Sequence, residues 1–589
     1  MNDAQFQPLD AELHSAPRIV FAPGILFAVP ATADDNFWDG KGSGNWSDPT
    51  RWSLGRSPTS ADRAFIGGSP GFLGNQTVSL NAPSNAALSL SVSGNSFFTN
   101  SVSSGPNTAL NLSGDLTVAD FGRGAYDLTG STLNAVNEYV GLTQTGPFGV
   151  PGIGTFTQIG GFNTVSGDLF VGACNGCVDA AGGTGTYNLG GGAVLRVGGS
   201  EHVGVAPFPS ANTATFEQSG GLHTISNVLL IGQQGGTGTY RLSGNAELDV
   251  GGGSAPGVGG VSLGDGSGVA TFVQSGGQLT TDGERISANA VFTLNAGTDT
   301  VNNPLFIDAN GKFNLTGGTL NASPLVINQG QFNYSSGTIN ANFSNSGTVN
   351  LSGGGTRIFS GNVDNEANGI IKSTNTSVKY TGTFTNKGTV KSDPATNLFG
   401  DLVNGNSGVM QGGKGDVFSI AGDFVNHSEQ NTIWNTDLAI LRFTGSGHHE
   451  FDLAGSDFGS GPAGFVDNFA FGILAFDPGV ILDLMDGNDV PGAAIRELDL
   501  PGQDLGLLAD IDSPFNIYYD ISDPANAYLG GLDFALRGGG MLVAGSAPPL
   551  PEPPSWVLLA FMLTGIGILR GIQEGRKDSR SCGGFSGTN

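Results

Sequence analysis

Six histidines and three cysteines are all this 589-residue chain offers for metal or nucleophilic chemistry beyond its acids and hydroxyls. The one tight cluster is His448-His449-Glu450. Adjacent residues on a strand point to opposite faces, so this pair does not grip one metal without a bulge. It reads as an exposed polar strand. Asp483, Asp486, Asn488 and Asp489 surround Gly487 but miss the calcium-loop pattern with its distal glutamate. Asp486-Gly487-Asn488 is expected to form a hairpin turn, with adventitious calcium as the alternative. No cofactor and no metal site is assigned.

Cys174 and Cys177 form a single CxxC in a glycine-rich insertion. Zinc wants a second pair, and a redox motif wants a βαβ context, which is absent here. In an oxidising compartment a local Cys174–Cys177 disulfide stapling a loop is expected. The third cysteine is Cys582.

A glycoside hydrolase needs two carboxylates facing one cleft. The acids of the repeat region, such as Asp168, Glu201, Glu217 and Asp249, are scattered, and no pairing follows from their spacing. The chain has no H-E-x-x-H helix motif or phosphate loop. The expectation is therefore a non-enzymatic protein with no catalytic residues. A polysaccharide hydrolase or lyase on the same scaffold is the alternative.

The elements that carry these residues are β. Glycine contributes 99 residues and charged residues only 12%, yet 38% are hydrophobic and they recur periodically. Such glycine density opposes helix. The net charge of −27 disfavours nucleic acid as a partner, because phosphates need Lys and Arg. It suits an exported surface protein.

Fragments repeat along the chain. Gly154-Thr-Phe-Thr-Gln, Ala214-Thr-Phe-Glu-Gln and Ala270-Thr-Phe-Val-Gln alternate with Gly185-Thr-Tyr-Asn-Leu and Gly238-Thr-Tyr-Arg-Leu. Tyr126, Phe156, Tyr187, Phe216, Tyr240 and Phe272 mark a period of about 30 residues. Past residue 285 the period shortens to about 20 through Phe292, Phe313, Phe332 and Val349. Related fragments continue at Phe384-Thr-Asn-Lys-Gly-Thr-Val390 and Phe424-Val-Asn426.

Each fragment alternates apolar and small polar residues and closes on Gly-Gly or Ser-Gly, which is a strand followed by a tight turn. One such strand cannot bury its face alone, whereas stacked coils bury a continuous column. The predicted fold is all-β: a parallel right-handed β-helix with a C-terminal β cap and one C-terminal transmembrane helix. The longer repeats are read as coils with insertions or as paired coils. Residues 34–75 are expected to cap the first coil, 76–437 to form the solenoid, and 438–543 to form closing coils and the cap. A Pro-rich linker occupies 544–554.

The two ends carry targeting features. Arg18, the apolar run 19–29 and Ala31-Thr-Ala33 look like a secretory signal over 1–33, although the leading residues are acidic and Pro23-Gly24 interrupts the run. At the other end, Pro551-Glu552-Pro553-Pro554-Ser555 leads into the uncharged run Trp556–Leu569, then Arg570. Arg576, Lys577 and Arg580 follow, and 581–589 trail behind. The apolar run is short for a bilayer core that takes roughly 20 residues. Local thinning and the neighbouring Gly571-Ile572 help it span. The distal positive charge predicts that its far end stays cytoplasmic.

This three-part signal over 551–580 resembles the PEP-CTERM sorting tail. The resemblance implies recognition of Pro551, Glu552, Pro553 and Ser555 by an exosortase-type membrane protease or transpeptidase. Trp556, Leu569 and Arg570 would form the inner-membrane anchor before processing. The segment Trp38-Asp-Gly…Gly44-Asn-Trp46-Ser-Asp-Pro-Thr-Arg-Trp52 resembles the start of many autotransporter-like and PEP-CTERM solenoid proteins. A sugar-binding aromatic platform is its alternative reading. Together the resemblances imply an exported structural or adhesive protein of the cell envelope, outer surface or exopolysaccharide matrix. An autotransporter passenger would instead need a run of lipid-facing strands forming a barrel.

Overall fold

A computed structural model describes residues 33–39, 42–67, 74–144, 150–175, 182–206, 212–252, 260–486 and 492–549. The chain is all-β, 57% strand and 5% helical, with one long, almost wholly parallel sheet. Each strand pairs with the equivalent strand one repeat later, which winds the chain as a β-solenoid.

Three ladders run along it. The first face passes from Gly44–Asn45 through Gln76–Leu80, Thr99–Ser104, Gly122–Thr129 and Gly152–Ile159 to Val409–Gln411. The second begins at Asn85–Ala87, passes through Ala109–Leu112 and Thr132–Ala135, and ends at Met541–Gly545. The third begins at Asp34–Phe37, passes through Asp62–Ile66 and Ser89–Val92, and ends at Ile511–Asp512. The third ladder has about twenty rungs, which is about 90 Å of rise at the usual strand spacing.

Alternation in sequence becomes alternation in burial. Gly122–Thr129 reads buried at every second residue, and Thr213–Gln218 and Thr237–Leu242 do the same. The inward residues form columns. Tyr126, Phe156, Tyr187, Phe216, Tyr240, Phe272, Phe292, Phe313 and Phe332 stack ring on ring, with centroids 4.6–5.3 Å apart. Parallel in-register pairing puts like residues one strand spacing apart, and that spacing suits stacked rings.

Each repeat of about 30 residues is one coil of three strands rather than a pair of coils. The extra length sits at the corners. From residue 269 the corners tighten, and two or three rungs of one coil merge into a single bent strand, as in Lys312–Asn328 and Gln331–Asn345. The shorter period follows from this loss of corner insertions. At one corner Gly161 has φ +73°, and a Cβ there would lie 2.2 Å from the Ser131 carbonyl oxygen. Only glycine fits that turn.

One assignment from sequence needs correcting. Phe384-Thr-Asn386 and Phe424-Val-Asn426 are not later copies of the aromatic first-face strand. They lie on the third face, in register with Val363–Asn365 and Leu402–Asn404. The first face continues through Val349, Ile371, Val390 and Met410. A Φ-x-Asn pattern on one face was mistaken for the Φ-x-polar pattern of another, because both have strand periodicity.

Both ends of the column are covered. At the start, Trp38, Trp46 and Trp52 are buried and pack edge to face, 5.0–5.2 Å apart. The Trp52 indole donates to the Trp46 carbonyl at 2.8 Å. The free edge of Asp34–Phe37 is bonded by Ser53 and Leu54. Beyond Gln411 the first face shrinks to a single parallel bridge between Gln411 and Asn435, while the second and third ladders continue. Short 3₁₀ turns such as Pro462–Phe465, Leu505–Asp510 and Pro524–Leu529 fill the third side. Phe534–Ala535 pairs antiparallel with Met541–Gly545 and blunts the last edge.

Candidate functional site

The histidine cluster splits as strand geometry requires. His449 is buried, its Nδ1 2.7 Å from the Gly422 carbonyl oxygen. His448 points out, its Nδ1 2.6 Å from Asp483 Oδ2. Glu450 stands beside Asp423, Asp452 and Asp483, and partial burial and these carboxylates push its pKa up. Among the described residues no group of three His, Cys, Asp or Glu side chains is arranged to hold a metal. Asp483 lies in the middle of the strand Val480–Asp486 and Asp486 ends it, while Gly487, Asn488 and Asp489 lie outside the described residues.

Cys174 lies on the strand Leu169–Asn175, its backbone in register with Thr143. Cys177 lies outside the described residues, as do Pro551, Glu552, Pro553, Ser555, Trp556, Leu569 and Arg570. Among the described residues no helix is long and apolar enough to cross a membrane.

The scattered acids go to different places. Asp168 sits at a corner and accepts from the Ser200 amide at 2.7 Å. Glu201 is fully buried inside the coil. Glu217 points outward beside Arg241, 3.7 Å away. Asp249 is also outward on its strand. A surface groove of ≈ 390 Å³ runs past Thr157, Asn188, Glu217 and Arg241. In that outward row the next acid is Asp127, three coils from Glu217. Three strand spacings, about 14 Å, exceed the roughly 5–9.5 Å that separates the two carboxyls of a glycosidase.

The interior holds polar groups that the sequence reading missed. Glu138, Glu201 and Glu284 share one inward column of the third face. One coil later, the second face places Asn163, His223 and Asp299 beside them. In the first set, Asn163 Nδ2 donates to Glu138 Oε2 at 3.0 Å and to the Tyr187 hydroxyl at 3.1 Å. The Tyr187 hydroxyl donates to Gln158 Oε1 at 3.0 Å. In the second set, His223 Nε2 is 2.9 Å from Glu201 Oε2, and its Nδ1 is 3.1 Å from the Tyr240 hydroxyl. Tyr240 donates to Gln218 Oε1 at 2.8 Å. The tyrosine has one proton and gives it to Gln218, so His223 Nδ1 is the donor to Tyr240.

The third set has lost its donors. Leu294 and Phe313 stand where Gln158 and Tyr187 stand in the first. Glu284 and Asp299 face each other, and none of their four oxygens meets an amide, hydroxyl or cation. Burial raises both pKa values; the Asp299 carboxyl raises that of Glu284 further, whereas the contact with Glu284 lowers that of Asp299. In the first set burial pushes Glu138 to about 8, and the Asn163 bond works against this. All these groups are sealed from solvent, so they serve the core.

A buried asparagine ladder follows on the third face. Asn328, Asn345, Asn365, Asn386, Asn404 and Asn426 link side chain to side chain at 2.7–2.9 Å. The signal that could have found it was the Asn two residues after each third-face apolar residue.

No family model, curated protein or solved structure matches this chain.

Proposed function

We propose that this protein is an exported, non-enzymatic, right-handed β-solenoid, sorted through a C-terminal PEP-type signal. It acts as a structural or adhesive element of the cell surface or exopolysaccharide matrix. Residues 556–569 would cross the inner membrane until an exosortase-type enzyme processes the chain near Pro551–Ser555. The observation that carries this reading is the order Pro-Glu-Pro, apolar run and arginine, starting two residues after the described body ends at Pro549. The interior supports a structural role, because its ionisable groups are consumed in core contacts. The groove at Glu217 supports it too, since its carboxylate pairs with Arg241 and no second acid lines the groove among the described residues. The capping tryptophans are buried, which favours the cap over a sugar platform. Intact mass of the mature protein in separated fractions of its native host tests the sorting. A product ending near 551–555 in envelope or medium is expected. A full-length product held in the inner membrane would reduce the tail to a plain anchor.

A further inference from the structure

The last described residues do not hang free of the solenoid. The Ser546 amide donates to the Ser460 carbonyl at 2.9 Å, and the Ile521 amide donates to the Gly545 carbonyl at 3.1 Å. Ala547 is buried in a small cluster with Phe465, Ala470, Ala494 and Tyr518. One residue on, Arg496 Nη1 donates to the Pro548 carbonyl at 3.1 Å. Arg496 is itself buried, and its Nε donates to the Asp437 carbonyl at 3.2 Å. The guanidinium thus bridges the strand Thr436–Phe443 and the departing chain, at the rim of a cleft of ≈ 520 Å³ that Pro548 and Pro549 also line. A proline carbonyl has no amide of its own residue to pair in a ladder, so a side-chain donor is the natural way to hold it. Arginine suits this role because its fork reaches two acceptors at once in a fixed plane.

We infer that Arg496 and the Ser460 carbonyl form a clamp that fixes where the sorting motif leaves the body, and that Arg496 is a positioning residue for processing. The inference rests on the sorting reading above. Covalent reach makes the consequence concrete. Pro551 is two residues past Pro549, at most about 7 Å of chain, and Ser555 is six residues past it, at most about 21 Å. The body is therefore held close to the membrane until the tail is cut. The processing enzyme meets the motif beside a fixed surface rather than at the end of a loose linker. Fixing one end of a short segment removes conformational freedom that the enzyme would otherwise have to restrict.

The test uses the full chain. Hydrogen exchange at the Ser546 and Ala547 amides is compared in wild type, Arg496→Gln and Arg496→Lys, with the Tyr519 amide as a core reference. Processing of the same three chains in the host is followed by intact mass after a pulse of synthesis. Arg496→Gln is expected to raise exchange at Ser546 and Ala547 at least tenfold, with the core amide unchanged. It is also expected to slow processing at least threefold. Arg496→Lys, which keeps the charge and one donor, should recover part of both. Unchanged exchange overturns the clamp. Raised exchange with an unchanged processing rate overturns the positioning role. A wild-type chain that is never processed overturns the sorting reading and the positioning role with it, while the exchange data judge the clamp separately.

Discussion

Glu138, Glu201 and Glu284 occupy one position in three coils, and their partners differ: an amide, an imidazole and a second carboxyl. This makes a pH dependence with a definite sign. A carboxyl whose pKa is raised on folding binds a proton more tightly in the folded state. Its contribution is fully present below the unfolded value of 4.5 and is lost as pH rises through the folded value, about 8 for Glu138. The Glu284–Asp299 pair works in the same direction. Thermal stability measured between pH 5 and 8.5 is therefore expected to fall as pH rises. Asp299→Asn gives Glu284 an amide donor like that of Asn163, and should flatten this slope and raise stability at pH 8 by about 1 kcal/mol. A steeper slope in Asp299→Asn would contradict the account. The asparagine ladder makes a second prediction at this scale. Asn386 donates to Asn404 and accepts from Asn365, so Asn386→Ala leaves the buried Asn404 Oδ1 without its donor, while the Asn365 amide keeps the Gly369 and Thr389 carbonyls. A loss of about 1–3 kcal/mol is expected in denaturant melts, against nearly none for a surface asparagine such as Asn340, which is itself exposed.

At the scale of elements, the ring column and the cap carry different loads. Phe272 sits between Tyr240 and Phe292, fully buried. Phe272→Ala is expected to cost about 3–5 kcal/mol and to loosen neighbouring coils first, because a solenoid is stabilised mainly through nearest-neighbour contacts. Hydrogen exchange mapped along the chain would show protection lost around 240–300 before it is lost near the ends. Trp52 covers the start of the column and donates to Trp46. Trp52→Ala should expose the open apolar end and the strand edge beneath it, producing concentration-dependent association on size-exclusion chromatography. A monomer of unchanged stability would mean that Trp38 and Trp46 suffice as the cap. How much of this was legible depended on the kind of signal. Period-2 alternation marked the strands, and recurring Tyr and Phe marked the column. The third-face Φ-x-Asn strands were attributed to the wrong face, because alternation alone does not say which of three faces a strand joins.

For the whole molecule, the amino-acid sequence alone determined the class of architecture. Repeats of strand length closed by glycine have no stable partner except the next repeat, so composition and period already imply stacked coils. It also contains the order Pro-Glu-Pro, apolar run and arginine on which the proposed sorting rests, a linear pattern that needs no fold to be read. It did not determine which buried acids share a site. Glu138 and Asn163, or Glu284 and Asp299, are 15 to 25 residues apart in the chain, and they meet only because parallel register offsets one face by one coil from another. The scattered carboxylates could not be paired from their spacing, and winding placed Glu201 inside, Asp168 at a corner and Glu217 on the surface beside Arg241. Inside or outside is a parity set by where each corner falls, and the corner insertions vary in length. The attachment of 546–548 to Ser460 and Arg496 was likewise beyond the sequence, which shows a Pro-rich linker but not the surface it lies on. Local pattern fixes what each strand is; the register between coils, which is a property of the assembled column, decides which side chains meet.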